Sequence, residues 1–295
     1  MTTFILLTVT GLGLAALYFL VASGLSLIFG LMDVLNFAHG AFLTVGAYLT
    51  WWSALQLDGI DNVALRLLLA TVIGVAGGAL VAVLVEYAFI RRLYGQHVGQ
   101  ILVTVGLALS ITALVRAVWS PEARVFPTLR WMGEVTRLGD APIPNSRFVA
   151  IGVAVALYLG LVAFLRRTRY GLIVRAGVEN RAMVSALGID VAKAFTLVFA
   201  IGGVAAALGG ILTGVFFGAI NPEQGGSLLI FAFIVVIIGG LGSLQGAAIA
   251  SVLVGLLQQY ANFYLQFGAG DLIVVLLLAG VLLVRPAGLA GKAAV

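Results

Sequence analysis

Cysteine is absent from this 295-residue chain, which excludes disulfides and thiolate metal sites. The two histidines, His39 and His97, are too few for a histidine-based metal centre. Charge is scarce, at 9% of residues, and the eleven acids are scattered with no recurring Ser/His/Asp spacing. No GxxxxGK[ST] stretch occurs, so a phosphate-cradling loop is excluded. The chain is therefore expected not to be an enzyme, with no catalytic residue, no metal and no cofactor of its own. No Lys or Arg precedes Arg66, whereas a secretory signal needs a cationic start; the first apolar run reads as a retained span.

Apolar residues make up 62% of the chain, with a mean hydropathy of +1.19. Soluble domains rarely exceed about half apolar. The fold class expected is an all-α integral membrane protein, one transmembrane domain over 1–295. About twenty apolar residues cross a hydrocarbon core roughly 30 Å thick. Runs that reach or approach this length are 4–30, 37–56, 64–90, 98–119, 147–165, 194–219, 227–241, 246–267 and 271–285. They make a polytopic helical bundle of about 8–9 transmembrane segments. The seventh and ninth are short, and can be partly buried in protein.

The largest polar interruption is 166–193, which holds six of the sixteen cations. Basic segments favour the cytoplasmic side. With this one inside, Arg91, Arg92, Arg285 and Lys292 join it, ten cations against the six at 66, 116, 124, 130, 137 and 147. That puts the C-terminus in the cytoplasm and, over nine crossings, the N-terminus outside. The net charge of +5 belongs to these loops and does not point to nucleic acid. The content of 166–193 suggests a short amphipathic helix ended by Gly188, a docking surface. The loop 120–146, with four of the six prolines, is the longest external connection, a landing surface or a plain lid.

Three constellations stand out. Asp33, Asn36 and His39 recur at three-residue steps, which on a helix would share one face. They mark either a substrate path or a polar joint satisfying its own backbone, and a broken or re-entrant helix near 31–40 is the alternative to two plain spans. Gly239, Gly240, Gly242 and Gly246 are too many glycines for a plain helix and read as an unwound joint between spans or half-spans. The pairs Gly74–Gly78 and Gly210–Gly214 suit close helix packing in lipid. Glu86, a helical turn from Arg91 and Arg92, reads as pairing or snorkelling at the interface. Gln258, Gln259 and Asn262 mark a polar face that interhelical hydrogen bonds explain as well as a pore would.

The chain resembles the permease subunits of branched-chain amino acid ABC importers. Three stretches carry the resemblance: Gly24 to Gly30 followed by Asn36-Phe37-Ala38-His39-Gly40; Arg175 to Asn180 through Ala186-Leu187-Gly188-Ile189; and Gly239-Gly240-Leu241-Gly242-Ser243 with Gly246. The resemblance implies a bacterial plasma (inner) membrane location, a second permease or a second copy of this chain, two cytoplasmic ATPase subunits and an external solute-binding protein. It implies that Glu179 to Ile189 form the segment seated in the ATPase. Arg175, Glu179 and Asn180 are then its polar contacts, and Ala186, Gly188 and Ile189 its close-approach end. Gly40 joins Asn36 and His39 as a candidate path residue. Ala41 stands where such permeases often carry an acid, and urea and short-amide importers share the subunit type, so the solute class stays open. An ion-coupled carrier and a passive channel are the rival classes.

Overall fold

The computed structural model describes residues 1–186, 188, 191–265 and 268–290, with backbone alone for Leu31, 177–182 and 185–186. It consists almost wholly of helices: α1 (Thr2–Met32), α2 (His39–Gln56), α3 (Val63–Ala88), α4 (His97–Trp119), α5 (Arg130–Gly133), α6 (Asn145–Arg167), α7 (Arg169–Ala186), α8 (Val191–Phe217), α9 (Gln224–Gly239), α10 (Leu244–Tyr264) and α11 (Ala269–Val284). A 3-10 turn, Ile90–Leu93, follows α3. Each of the nine apolar runs becomes one helix. Six of these (α1, α3, α4, α6, α8 and α10) are long and apolar enough to cross a membrane, and α9 and α11 are shorter apolar helices.

The connections place successive helix ends alternately at two ends of the bundle. At one end Asp33 pairs with His97 at 3.7 Å, Glu86 meets Thr196, and Leu289 N–H donates to Ile238 C=O. At the other Arg116 pairs with Glu223, Thr8 meets Tyr260, and Arg147 Nη1 donates to Phe216 C=O. Loop 120–146 lies at this second end. It holds the two-residue strand β1 (Arg124–Val125) and a hairpin of β2 (Val135–Leu138) and β3 (Ala141–Pro144). β1 pairs with β4 (Ala219–Ile220), fastening the loop beneath α8. The two strand pairs had no sequence signal, because such short ribbons lack a countable alternation.

At the centre lie α1, α8 and α9, with α2 and α10 against them. Residues 14–32 are apolar all round, as a helix enclosed by protein should be, and Leu17, Leu20, Val21 and Ile28 are fully buried. Small residues bring the inner helices together. A Cβ on Gly78 would sit 2.7 Å from Ala207 Cβ, and one on Gly210 would sit 2.9 Å from Leu43 C, so both GxxxG expectations correspond to tight crossings.

Candidate functional site

Residues 33–38 break the chain between α1 and α2. Asp33 adopts φ 54°, a left-handed C-cap whose N–H bonds Phe29 C=O, and there α1 stops. The expectation that Asp33, Asn36 and His39 share one helix face is thereby corrected. The segment is not helical, so three-residue steps do not stack, and Asp33 is exposed at the basic end beside His97. Asn36 and His39 instead lie fully buried.

The position of His39 shows what the break does. Its Nε2 lies 3.1 Å from the carbonyl oxygen of Val21, eleven residues back from the end of α1. At 1.5 Å per residue this is roughly 16 Å along the helix axis. The chain thus leaves α1, turns back into the bundle and starts α2 at depth. Gly24 and Gly202 make this possible, since a Cβ on Gly24 would lie 2.9 Å from both His39 Cε1 and Gly202 O. Irregular backbone at such depth needs partners within the protein. Asn36 Oδ1 accepts Ala38 N–H at 3.1 Å, and His39 N–H reaches Asn36 C=O at 3.3 Å. α2 continues to the loop end, where Trp51 meets Arg124, so α1 and α2 are two antiparallel helices joined by an inset non-helical turn rather than one broken or re-entrant helix.

Beside it, α9 begins in the same region and runs the other way. Phe37 packs on Phe233 with ring centroids 4.9 Å apart, and Thr44 Oγ1 donates to Pro222 C=O at 3.4 Å. Between these contacts Gly40 and Gly225 meet backbone to backbone, where a Cβ on Gly40 would lie 2.5 Å from Gly225 O. The N-termini of α2 and α9 therefore overlap, each with a partial positive charge, while the N–H groups of His39, Gln224 and Gly226 are taken by the C=O groups of Asn36, Asn221 and Glu223. Asn36 Nδ2, His39 Nδ1 and Gln224 Nε2, one on each of three neighbouring segments, are buried without a hydrogen-bond partner among the described residues. Such a region can favour an acceptor-rich or anionic group.

Gln224 and Gly225 were missed in the sequence. The signal was present: Asn221-Pro222-Glu223-Gln224-Gly225-Gly226 precedes an apolar run too short to span, a second interrupted helix start. A groove of about 250 Å3 between α1, α6 and α10 is lined by Leu12, Phe19, Val155 and similar groups. Without a charged group, it suits no polar solute.

The glycine joint takes its expected unwound form. α9 ends at Gly239, Gly240 and Gly242 have φ 95° and 80°, and Ser243 Oγ caps α10 by accepting Gly246 N–H at 3.0 Å. A Cβ on Gly242 would meet Gly30 Cα at 2.8 Å, and Ala290 N–H donates to Gly239 C=O, so the joint is packed on two sides.

Within 166–193 the residues Arg169–Ala186 form α7, longer than the short helix expected, while Arg166 and Arg167 end α6 and Lys193 lies in the first turn of α8. Thr168 starts it, with Oγ1 accepting Gly171 N–H at 2.9 Å. Val174 and Val184 are buried against the bundle while Leu172, Arg175 and Met183 are exposed. Glu179, Asn180 and Ala186 are placed on α7 by backbone alone. Gly188 is exposed with φ 76° and open space around it. Ile189 lies outside the described residues.

Elsewhere, Gln258 accepts from Tyr18 OH at 2.5 Å and donates to Asp271 at 2.6 Å, and Asn262 Oδ1 accepts Gly270 N–H at 2.8 Å. Gln258 and Asn262 thus make interhelical bonds, while Gln259 makes no side-chain hydrogen bond among the described residues. Asp271 sits in the first turn of α11, whose N-cap is Gly268.

Known proteins agree with this arrangement of motifs. A family described as "Branched-chain amino acid transport system / permease component" matches residues 7–285. The high-affinity branched-chain amino acid transport system permease protein LivH of Escherichia coli (strain K12) is 31% identical over 291 residues, covering 96% of this chain and 94% of that one. LivH of Salmonella typhimurium is 30% identical over 292 residues, with coverage of 96% and 94%. BraD of Pseudomonas aeruginosa, named for the same high-affinity system, is 28% identical over 290 residues with coverage of 96% and 94%. No solved structure shows a significant match. A match across nearly the whole helical bundle leaves one assignment: the chain belongs to the branched-chain amino acid transport system permease-component family.

Proposed function

We propose that this chain is the membrane-spanning permease subunit of a bacterial ATP-binding-cassette importer for branched-chain amino acids. It works by alternating access, with a second permease or second copy, two cytoplasmic ATPase subunits and an external solute-binding protein. The observation that carries this reading is the match over residues 7–285 on a bundle that also presents a partly exposed basic helix, α7, at one end. In this reading α7 and Gly188 meet the ATPase, loop 120–146 faces the solute-binding protein, and the C-terminus is cytoplasmic in the inner membrane.

The overlapping N-termini of α2 and α9 support a place for the solute carboxylate, beside Asn36, His39 and Gly40. Helix N-termini opened at membrane depth suit anionic groups in transporters generally. An ion-coupled carrier would want free ionisable groups deep in the bundle. Asp33 is exposed and Glu86 is paired with Arg91, which count against that rival and leave it only the buried His39.

The test is uptake of labelled leucine into vesicles containing the reconstituted complex, with binding protein outside and ATP inside. Uptake that needs both ATP and the ATPase supports the proposal. Uptake by this chain alone, driven by an ion gradient, overturns it.

A further inference from the structure

Glu86 is a fully buried carboxylate on the last turn of α3. Arg91 grips both its oxygens, Nε to Oε1 and Nη2 to Oε2, each at 3.2 Å. Tyr94 OH donates to Oε1 at 2.7 Å, and Thr196 Oγ1 donates to Oε2 at 2.9 Å. Thr196 in turn accepts Arg91 Nη2 at 2.7 Å. Snorkelling alone would let Arg91 turn its head to water. It is bent inward instead, and its side chain remains 35% exposed.

The cluster joins parts of the chain more than a hundred residues apart. Thr196 lies just inside α8, the helix that follows α7, and its neighbour Phe195 meets the Tyr94 ring edge-on at 5.1 Å. Farther along, α3 packs on α8, where a Cβ on Gly203 would lie 2.6 Å from Ala82 Cβ. It also packs on α2, where a Cβ on Gly74 would lie 2.5 Å from Gly46 O and one on Gly78 3.2 Å from Phe42 O. A continuous packed route thus runs from the root of α8 through Glu86 and α3 to α2, whose N-terminus is the candidate solute region.

We infer that Glu86, held by Arg91 and Thr196, is a positioning residue that fastens the root of α8 to α3, so that displacement of α7 moves α3 and α2 together. The inference rests on the reading of α7 as the ATPase seat. It asks more of the cluster than neutralising a buried charge, because that needs only Arg91 and Tyr94. The Thr196 hydroxyl is the link to α8, and it separates the two roles.

The experiment uses the full complex in vesicles and reads leucine transported per ATP hydrolysed. Thr196→Val keeps side-chain shape and removes the hydroxyl, leaving Glu86 with Arg91 and Tyr94. The expected result is an assembled complex that still hydrolyses ATP while its transport per ATP falls roughly tenfold, the scale on which one hydrogen bond to a charged group shifts a two-state equilibrium. Thr196→Ser should restore the ratio. An unchanged ratio, or uptake and hydrolysis falling in proportion, overturns the inference. Should Thr196→Val accumulate poorly, Glu86→Gln is read by the same ratio, where a fall supports the inference and an unchanged value overturns it. Absence of ATP-driven uptake in the unaltered complex would instead sink the importer reading, so the two failures are distinguishable.

Discussion

Gly225 and Gly226 are neighbours in the first turn of α9, and the structure gives them opposite responses to alanine. A Cβ on Gly225 would lie 2.8 Å from the Gly40 carbonyl carbon and closer still to its oxygen, whereas one on Gly226 meets nothing within 4 Å. The atoms opposing Gly225 are the Gly40 carbonyl of α2, which cannot rotate aside, and the Thr44 hydroxyl, so the helices must part by about 1 Å to reach ordinary contact. Overpacking of this kind costs about 1–3 kcal/mol. Both substitutions gain up to about 1 kcal/mol from helix propensity, less near a helix start. Gly225→Ala should therefore lose about 1–2 kcal/mol net, and Gly226→Ala should be neutral or slightly stabilising. The assay is the thermal midpoint of the purified chain in detergent, where the difference amounts to several degrees. Leucine uptake by the complex should fall with Gly225→Ala and hold with Gly226→Ala. Equal midpoints and equal uptake for the two variants would refute the α2–α9 contact and the site built on it.

Two further substitutions probe other joints. His39→Ala removes the hydrogen bond to Val21 C=O and leaves the space beneath Gly24 unfilled; a loss of about 2–4 kcal/mol is expected, read as a lower thermal midpoint. Gly188→Val forces a β-branched residue to φ 76° at an exposed turn, which costs about 1–2 kcal/mol locally. Transport per ATP should fall while the midpoint of the bundle drops by no more than a few degrees. Unaltered transport would place the ATPase seat elsewhere.

The helices were legible because hydrophobic length is a one-dimensional property. Nine apolar runs predicted nine helices, and Gly240 and Gly242 announced an unwound joint through the backbone freedom that only glycine has without cost. The site was legible only in pieces. Asn36, His39 and Gly40 stood out because polar groups between apolar runs are costly, but their depth depends on where residues 33–38 turn back. That turn is fixed by Gly24 and Gly202 on other helices, a contact no local pattern encodes. Gly225 was hidden for the same reason: its importance comes from Gly40, 185 positions away. Glu86 was rightly expected to pair with a neighbouring arginine, while Thr196, its tie to α8, lies beyond the reach of periodicity.

The central claim is that α7 receives force from the cytosol. The chain has no cysteine, so Arg175→Cys and Leu138→Cys each introduce a single thiol, both at exposed positions. Labelling of intact cells with a membrane-impermeant maleimide is the direct measurement. The account predicts that the thiol in the β2–β3 hairpin reacts on intact cells whose outer barrier admits the reagent, and the one on α7 only after the inner membrane is opened. Reaction of the α7 thiol in intact cells would contradict it.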